Sequence, residues 1–248
     1  MKILISGALG HMGRAVADQC AAEGLEVVGG VDVTAGEAGF PVVASFEEAP
    51  EADVVIDFSK PAALDGLLAY VVKRHIPAVL ATTGYTEEQL AAIDRVSREA
   101  ALFRSGNMSL GIALLRALSR KAAEVLGDGF DVEIVEAHHN RKVDAPSGTA
   151  LMLYDAVKDA YGEPREAVCG RHGRDCRRQH QEIGIHSLRG GTVTGEHEVH
   201  FLGASERIRI SHSAENRSVF AAGAVRAAAF LLGKEPGLYS MDDVVGKL

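Results

Sequence analysis

The sequence predicts an α/β protein: a doubly wound parallel sheet in its first part, then a C-terminal α+β domain with a mainly antiparallel (mixed) sheet. Three observations predict it. Through roughly the first hundred residues, short apolar runs alternate with helix-period stretches, the rhythm of parallel strands covered on both faces. The string Gly7-Ala8-Leu9-Gly10-His11-Met12-Gly13 joins the first apolar run to the first helix pattern, where a Rossmann-type sheet carries its glycine turn. Between residues 182 and 212, three strand patterns crowd together without helices, which suits antiparallel pairing.

Taken in order, Ile3-Leu4-Ile5 is the first strand, followed by a helix from about His11 to Glu23. Val27 through Val31 reads as a second strand that ends at Asp32, and Val54-Val55-Ile56 as a third. Pro61 starts the next helix, because its missing N–H is one a helix start leaves unpaired anyway. Pro77-Ala78-Val79-Leu80 is a fourth strand. A helix from about Thr86 to Ala100 follows it, with Thr86 as the cap and Glu87-Glu88 facing the positive end of the dipole. Past Ser109 a long Ala/Leu helix (110–125) leads to a strand at 130–135 that alternates apolar and acidic residues. A helix over 149–160, strands over 182–188, 193–201 and 206–212, and a closing amphipathic helix near 219–232 complete the pattern. No repeat, low-complexity tract or flexible linker separates the two parts.

Composition narrows the function. A net charge of −8 leaves no basic excess to displace counterions from phosphates, so nucleic acid is not an expected partner. The local cluster Arg171, Arg174, Arg177 and Arg178 reads first as a solvated loop and second as a phosphate or substrate contact. Cys20, Cys169 and Cys176 form no CxxC spacing and leave an odd count, which points to a reducing compartment without structural zinc or disulfides. No leader pattern and no apolar run near the ~18 residues of a membrane span occurs, so a soluble cytoplasmic protein is expected.

Two segments carry chemistry. In the first, the glycines permit a tight turn and let the backbone approach a pyrophosphate at the helix N-terminus. Asp32 follows about 20 residues on, where an acid hydrogen-bonds a ribose hydroxyl. Residues 33–36 (Val-Thr-Ala-Gly) offer no base for a 2′-phosphate, so NADH is expected as the preferred cofactor, with NADPH possible. Asp57, Ser59 and Thr82-Thr83-Gly84 sit at strand C-terminal ends, the side on which such sheets bind ligands.

The second segment is Glu136-Ala-His138-His139-Asn-Arg-Lys142-Val-Asp144-Ala-Pro146-Ser147-Gly148-Thr149-Ala150. Imidazole titrates near neutrality, so His138 or His139 can move a proton; adjacent strand-end residues face different ways, so one carries it while the other orients substrate. Lys142 adds a positive charge, and Pro146 to Thr149 open a helix whose N-terminus attracts anions. Such a site grips carboxylates and moves a proton. Arg217, beside the last helix, is a salt-bridge former or a further contact for a substrate carboxylate. His197 and His200, three apart on a strand, point to opposite faces and cannot easily share a metal, so no metal site is expected.

These residues resemble the 4-hydroxy-tetrahydrodipicolinate reductase (dihydrodipicolinate reductase) family over essentially the whole chain. The resemblance rests on Gly7–Arg14, Asp57-Phe58-Ser59 with Pro61, Thr82-Thr83-Gly84, Asn107 to Gly111, the Glu136–Ala150 segment, Leu188 to Gly191, Gly195-Glu196-His197 and Phe220 to Ala224. It implies NAD(P)H-dependent reduction of a cyclic imine dicarboxylate to tetrahydrodipicolinate, in lysine and diaminopimelate biosynthesis, by a homotetramer. It implies His138 as proton donor and acceptor, Lys142 as a second proton donor that holds a carboxylate, and His139, Gly148 and Thr149 as substrate contacts. The cofactor would lie along Gly7, Ala8, Leu9, Gly10, His11 and Met12, then Asp32, then Ala81, Thr82 and Thr83, then Ser105, Gly106, Asn107 and Met108. A nucleotide-binding domain of residues 1–108, completed by 217–248, and a substrate-binding and oligomerisation domain of 109–216 are implied as well. Ala81 departs from the pattern, since many relatives carry glycine there. The rival readings are a nicotinamide reductase acting on another cyclic imine or keto acid, and a silent NAD(H)-sensing regulator; the latter has no use for the proton donors of the second segment.

Overall fold

The computed structural model describes residues 1–246 of the chain. They divide into two units, residues 1–109 with 217–246, and residues 110–216. Residues 247 and 248, which the expected first domain included, lie outside the described residues.

The first unit opens with β1 (Lys2–Ser6), α1 (His11–Ala22), β2 (Glu26–Val31), the short edge strands β3 (Gly36–Glu37) and β4 (Pro41–Val43), and β5 (Val54–Asp57). A 3₁₀ turn at Pro61–Ala63 runs into α2 (Leu64–Arg74), followed by β6 (Ala78–Leu80), α3 (Glu87–Val96) and β7 (Ala101–Arg104). Ile3, Leu4 and Ile5 of β1 and Val54, Val55 and Ile56 of β5 are wholly buried, as central parallel strands covered on both faces must be. On one face, Leu67, Leu68 and Val71 of α2 and Ile93 of α3 pack over Leu4, Val55 and Leu80. Thr86 and Gln89 form a capping box at the start of α3, with Glu87 and Glu88 in its first turn.

The second unit contains α4 (Leu110–Leu126), β8 (Asp131–His138), α5 (Gly148–Lys158), β9 (Glu166–Cys169), β10 (Glu182–Arg189), β11 (Gly195–Leu202) and β12 (Arg207–Ala214). Its sheet runs β12-β11-β8-β10-β9. β11 is antiparallel to β8 and β12, whereas β10 is parallel to both β8 and β9, so the sheet is mixed. One face is the core: Val132, Ile134, Ile183, Ile185, Val199 and Phe201 lie under Ile112 and Leu115 of α4 and Ala150, Leu153 and Val157 of α5. Along that face the period-2 alternation changes chemistry toward one end of the sheet. Val132 and Ile134 lead to Glu136 and His138, Ile183 and Ile185 to Ser187 and Arg189, and Phe201 and Val199 to His197 and Gly195. Register brings these together, pairing Glu136 with both Ser187 and His197, and His138 with Arg189.

The chain then returns to the first unit with α6 (Ser218–Leu231), β13 (Gly237–Tyr239) and α7 (Met241–Val245). The larger sheet runs β13-β7-β6-β5-β1-β2-β4-β3, parallel throughout except for β3 on β4. Buried alanines (Ala221, Ala224, Ala227 and Ala228) let α6 lie close against the sheet beside α1. Two expectations shift. The helix expected to reach Ala100 stops at Val96, because residues 101–104 form β7, whose three-residue apolar stretch is too short to show a period. The strand expected over 130–135 continues to His138, which is thus the last residue of the strand itself.

Candidate active site

On the second unit, the polar end of the core face is organised around Glu136, whose side chain is fully buried. Its Oε2 accepts from His138 Nδ1 at 2.6 Å and Arg189 Nη1 at 2.8 Å; its Oε1 accepts from Arg189 Nη2 at 2.7 Å and the Ser147 N–H at 3.1 Å. Glu136 and His138 can meet because residues two apart on a strand share a face. Burial pushes the Glu136 carboxyl up, but Arg189, the Ser187 and His138 side chains and the Ser147 N–H outweigh it and hold the carboxyl at about 2. Arg189 also donates to the Asp144 carbonyl at 2.7 Å, tying the sheet to the loop that carries Lys142.

His197 lies edge-on to His138, ring centres 5.2 Å apart, and its Nε2 is 3.1 Å from Ser147 Oγ. Burial, with His138 next, pulls its titration down to about 4, so it stays neutral. Ser147 caps α5, accepting from Ala150 N–H at 3.1 Å, and Gly148 and Thr149 form the first turn behind it. His139 follows the end of β8, its N–H on the Val193 carbonyl at 2.7 Å. Lys142 Nζ is 2.9 Å from Asp144, and the ammonium holds that carboxyl below its usual range. Thus His138, His139, Lys142, Gly148 and Thr149 occupy one strand–loop–helix segment, whereas Arg217 is exposed before α6 in the first unit. His197 and His200 lie on opposite faces of β11, with His200 paired to Glu198 at 2.9 Å.

On the first unit, a cavity of about 680 Å³ opens over the ends of β1, β2 and β5, lined among others by Gly7, Leu9, Gly10, Asp32, Phe58 and Lys60. Gly7 is left-handed (φ +77°), and a Cβ there would stand 2.6 Å from the Phe58 carbonyl oxygen. A Cβ on Gly13 would stand 2.2 Å from the Gly7 carbonyl oxygen, so only glycine lets α1 pack this near the turn. The α1 N-terminus has no side-chain cap and no acid in its first turn, leaving its dipole to an anion. Asp32 accepts from Leu9 N–H at 2.8 Å and Val33 N–H at 2.7 Å, which fixes the turn against the end of β2. These residues fit a dinucleotide.

Of the other residues expected along the cofactor, His11 is exposed, Met12 is half-buried and Ala8 is buried beneath the turn. Ala81, Thr82 and Thr83 follow β6, and Ser105, Gly106, Asn107 and Met108 follow β7, at the same sheet edge. Sequence reading had not singled out Lys60, Glu136, Arg189 or Gly195 for a role at these sites. For Glu136 and Arg189 a signal existed: polar residues continuing an apolar alternation at positions that belong to the core.

A glycine-turn cavity on a parallel sheet, and on a second unit a carboxylate-linked histidine with a lysine four residues further along the chain, define a nicotinamide-dependent oxidoreductase of the two-unit Rossmann class. The family model "Dihydrodipicolinate reductase, N-terminus" matches residues 1–108, and "Dihydrodipicolinate reductase, C-terminus" matches 111–245. The chain belongs to the dihydrodipicolinate reductase family. It is 51% identical to the 4-hydroxy-tetrahydrodipicolinate reductase of Caldanaerobacter subterraneus subsp. tengcongensis, covering 100% of this chain and 99% of that one. The Clostridium novyi reductase of the same name is 45% identical over 98% of both chains. Dipicolinate-bound dihydrodipicolinate reductase from Paenisporosarcina sp. TG-14 shares the fold, with a TM-score of 0.81 at 21% identity over 99% of both chains.

Proposed function

We propose that the protein reduces 4-hydroxy-tetrahydrodipicolinate to tetrahydrodipicolinate with NAD(P)H, the step its relatives are named for, in lysine and diaminopimelate biosynthesis. The observation that carries this reading is the second unit's segment, where a hydrogen-bonded His138 stands on the same strand–loop–helix as Lys142 and the start of α5. When bound, the nicotinamide supplies hydride to an electrophilic ring carbon. His138 gives the proton that the resulting enamine needs, with Lys142 as a second donor that also holds a carboxylate. His139, the Gly148 N–H and the Thr149 hydroxyl orient the twice-anionic ring. Gly7 to Met12, Asp32, Ala81 to Thr83 and Ser105 to Met108 hold the cofactor. The first unit is then the nucleotide-binding domain, and the second binds substrate and forms a homotetramer. A reducing cytoplasm is part of this reading, supported by three cysteines, an odd count without CxxC spacing.

NADH is the preferred cofactor in this reading, since the Asp32 carboxylate repels a 2′-phosphate. Lys60 is the base on the cavity wall through which NADPH would be tolerated. A coupled assay tests both points: the aldol product of pyruvate and aspartate semialdehyde is generated in situ and absorbance at about 340 nm is followed. Oxidation of NADH with a higher kcat/KM than NADPH is expected, and Asp32→Ala narrows the ratio. No oxidation of either nucleotide refutes the activity; equal or better use of NADPH refutes the preference alone.

A further inference from the structure

We propose that Glu136 is the positioning residue for proton transfer: it fixes His138 as the Nδ1–H tautomer and aims Nε2, the reacting nitrogen, toward the space beside Gly195. The proposal rests on the reading of His138 as proton carrier and adds which nitrogen acts and what holds it.

An ionised carboxylate only accepts hydrogen bonds, so the 2.6 Å contact requires the proton to be on His138 Nδ1. Exchange with a substrate is thereby confined to Nε2. The carboxylate cannot swing, because the Arg189 guanidinium grips both oxygens at 2.7 and 2.8 Å and the Ser147 N–H adds a fourth bond. Arg189 and Ser147 belong to β10 and the cap of α5, so two elements besides β8 define the ring's plane. On the opposite side of the ring, a Cβ built on Gly195 would lie 3.2 Å from Nε2 and 3.6 Å from Cδ2. Glycine there leaves the reacting nitrogen uncrowded, whereas any side chain would press on it.

Charged and titratable groups face this imidazole from several elements. Glu136 lies on its own strand, Arg189 on β10 behind the carboxylate, His197 on β11 edge-on with His212 paired beyond it on β12, and Lys142 in the following loop. Neutral His197 walls the ring without competing for its proton. The arrangement is the one by which a buried carboxylate orients a catalytic imidazole generally, where loss of the correct tautomer costs orders of magnitude in turnover.

The experiment compares wild type, Glu136→Gln, Glu136→Asp and His138→Gln in kcat, KM, NADH binding and long-range ¹H–¹⁵N spectra of the histidine rings. In Glu136→Gln, kcat falls about 100-fold while KM and NADH affinity stay within about threefold. The acid limb of its kcat–pH profile shifts, and the His138 signals change from Nδ1–H to a tautomer mixture. Glu136→Asp, which keeps the charge against Arg189 but draws it one methylene back, gives an intermediate kcat and a partial mixture. It decides the matter if the Gln variant does not fold. Wild-type kcat with an unchanged Nδ1–H signature in either variant overturns the proposal, provided His138→Gln is inactive. Near wild-type turnover in His138→Gln removes the underlying reading instead.

Discussion

Glu136 and Arg189 hold each other in place, and the stability of their surroundings depends on both. Arg189→Ala leaves a fully buried carboxylate without its counter-charge and is expected to destabilise the fold by about 3 kcal/mol, read by urea unfolding. A double replacement that removes both charges should recover much of that loss. His197 sets a pH limit by another route. Its imidazole titrates at about 4 in the fold against 6.5 when exposed, chiefly through burial. Between those values the unfolded chain binds a proton that the folded chain refuses, so stability falls as pH drops, by about 3 kcal/mol over the window. Below about 4.5 a second loss begins, as Glu136, held at about 2, is protonated more readily in the unfolded chain. His197→Gln is expected to make the stability profile shallower between pH 6.5 and 4, leaving the smaller share of His212, also held down by burial, and the more acidic loss in place. An unchanged profile assigns that window to other groups. At this scale the sequence exposed the histidines and Lys142 because they stand together. Arg189 and His197 reach Glu136 only through strand register, from some fifty and some sixty residues away, which no local pattern reveals.

Elements were legible where burial and caps leave a pattern. β1, β5 and β6 are apolar because both their faces are covered, and α3 is announced by its cap. Thr86→Ala removes the acceptor for the Gln89 N–H, and a cost of about 1 kcal/mol in unfolding free energy is expected from denaturant titration. β3, β4, β7, β9 and β13 span two to four residues, too few to display either period, and each is defined by its partner strand rather than by itself. Strand direction is likewise non-local. The spacing of β10, β11 and β12 favours antiparallel pairing, and it holds for β11 with β12; β10 instead lies parallel to β8, since α5 and β9 intervene in the chain.

For the molecule as a whole, family membership and the two sheets follow from contiguous features: the glycine turn near the N-terminus and the Glu136–Ala150 segment. Lys60 reaches the cavity wall from the loop after β5, far outside residues 33–36, so the stretch that follows Asp32 contains no base although the cavity does. Among the described residues no helix is long and apolar enough to cross a membrane. Elution of the purified protein at four times its 26.2 kDa chain mass, by light scattering, is the expected outcome for the proposed tetramer, and a monomer contradicts it.

At the centre of the proposed function, His138 and Lys142 move the protons of a nicotinamide-dependent reduction. Steady-state turnover of His138→Gln and Lys142→Met, measured together with NADH affinity by fluorescence titration, tests it most directly. Turnover is expected to fall about 100-fold or more in each variant while NADH binds nearly as in wild type. Wild-type turnover in either variant contradicts it for that residue.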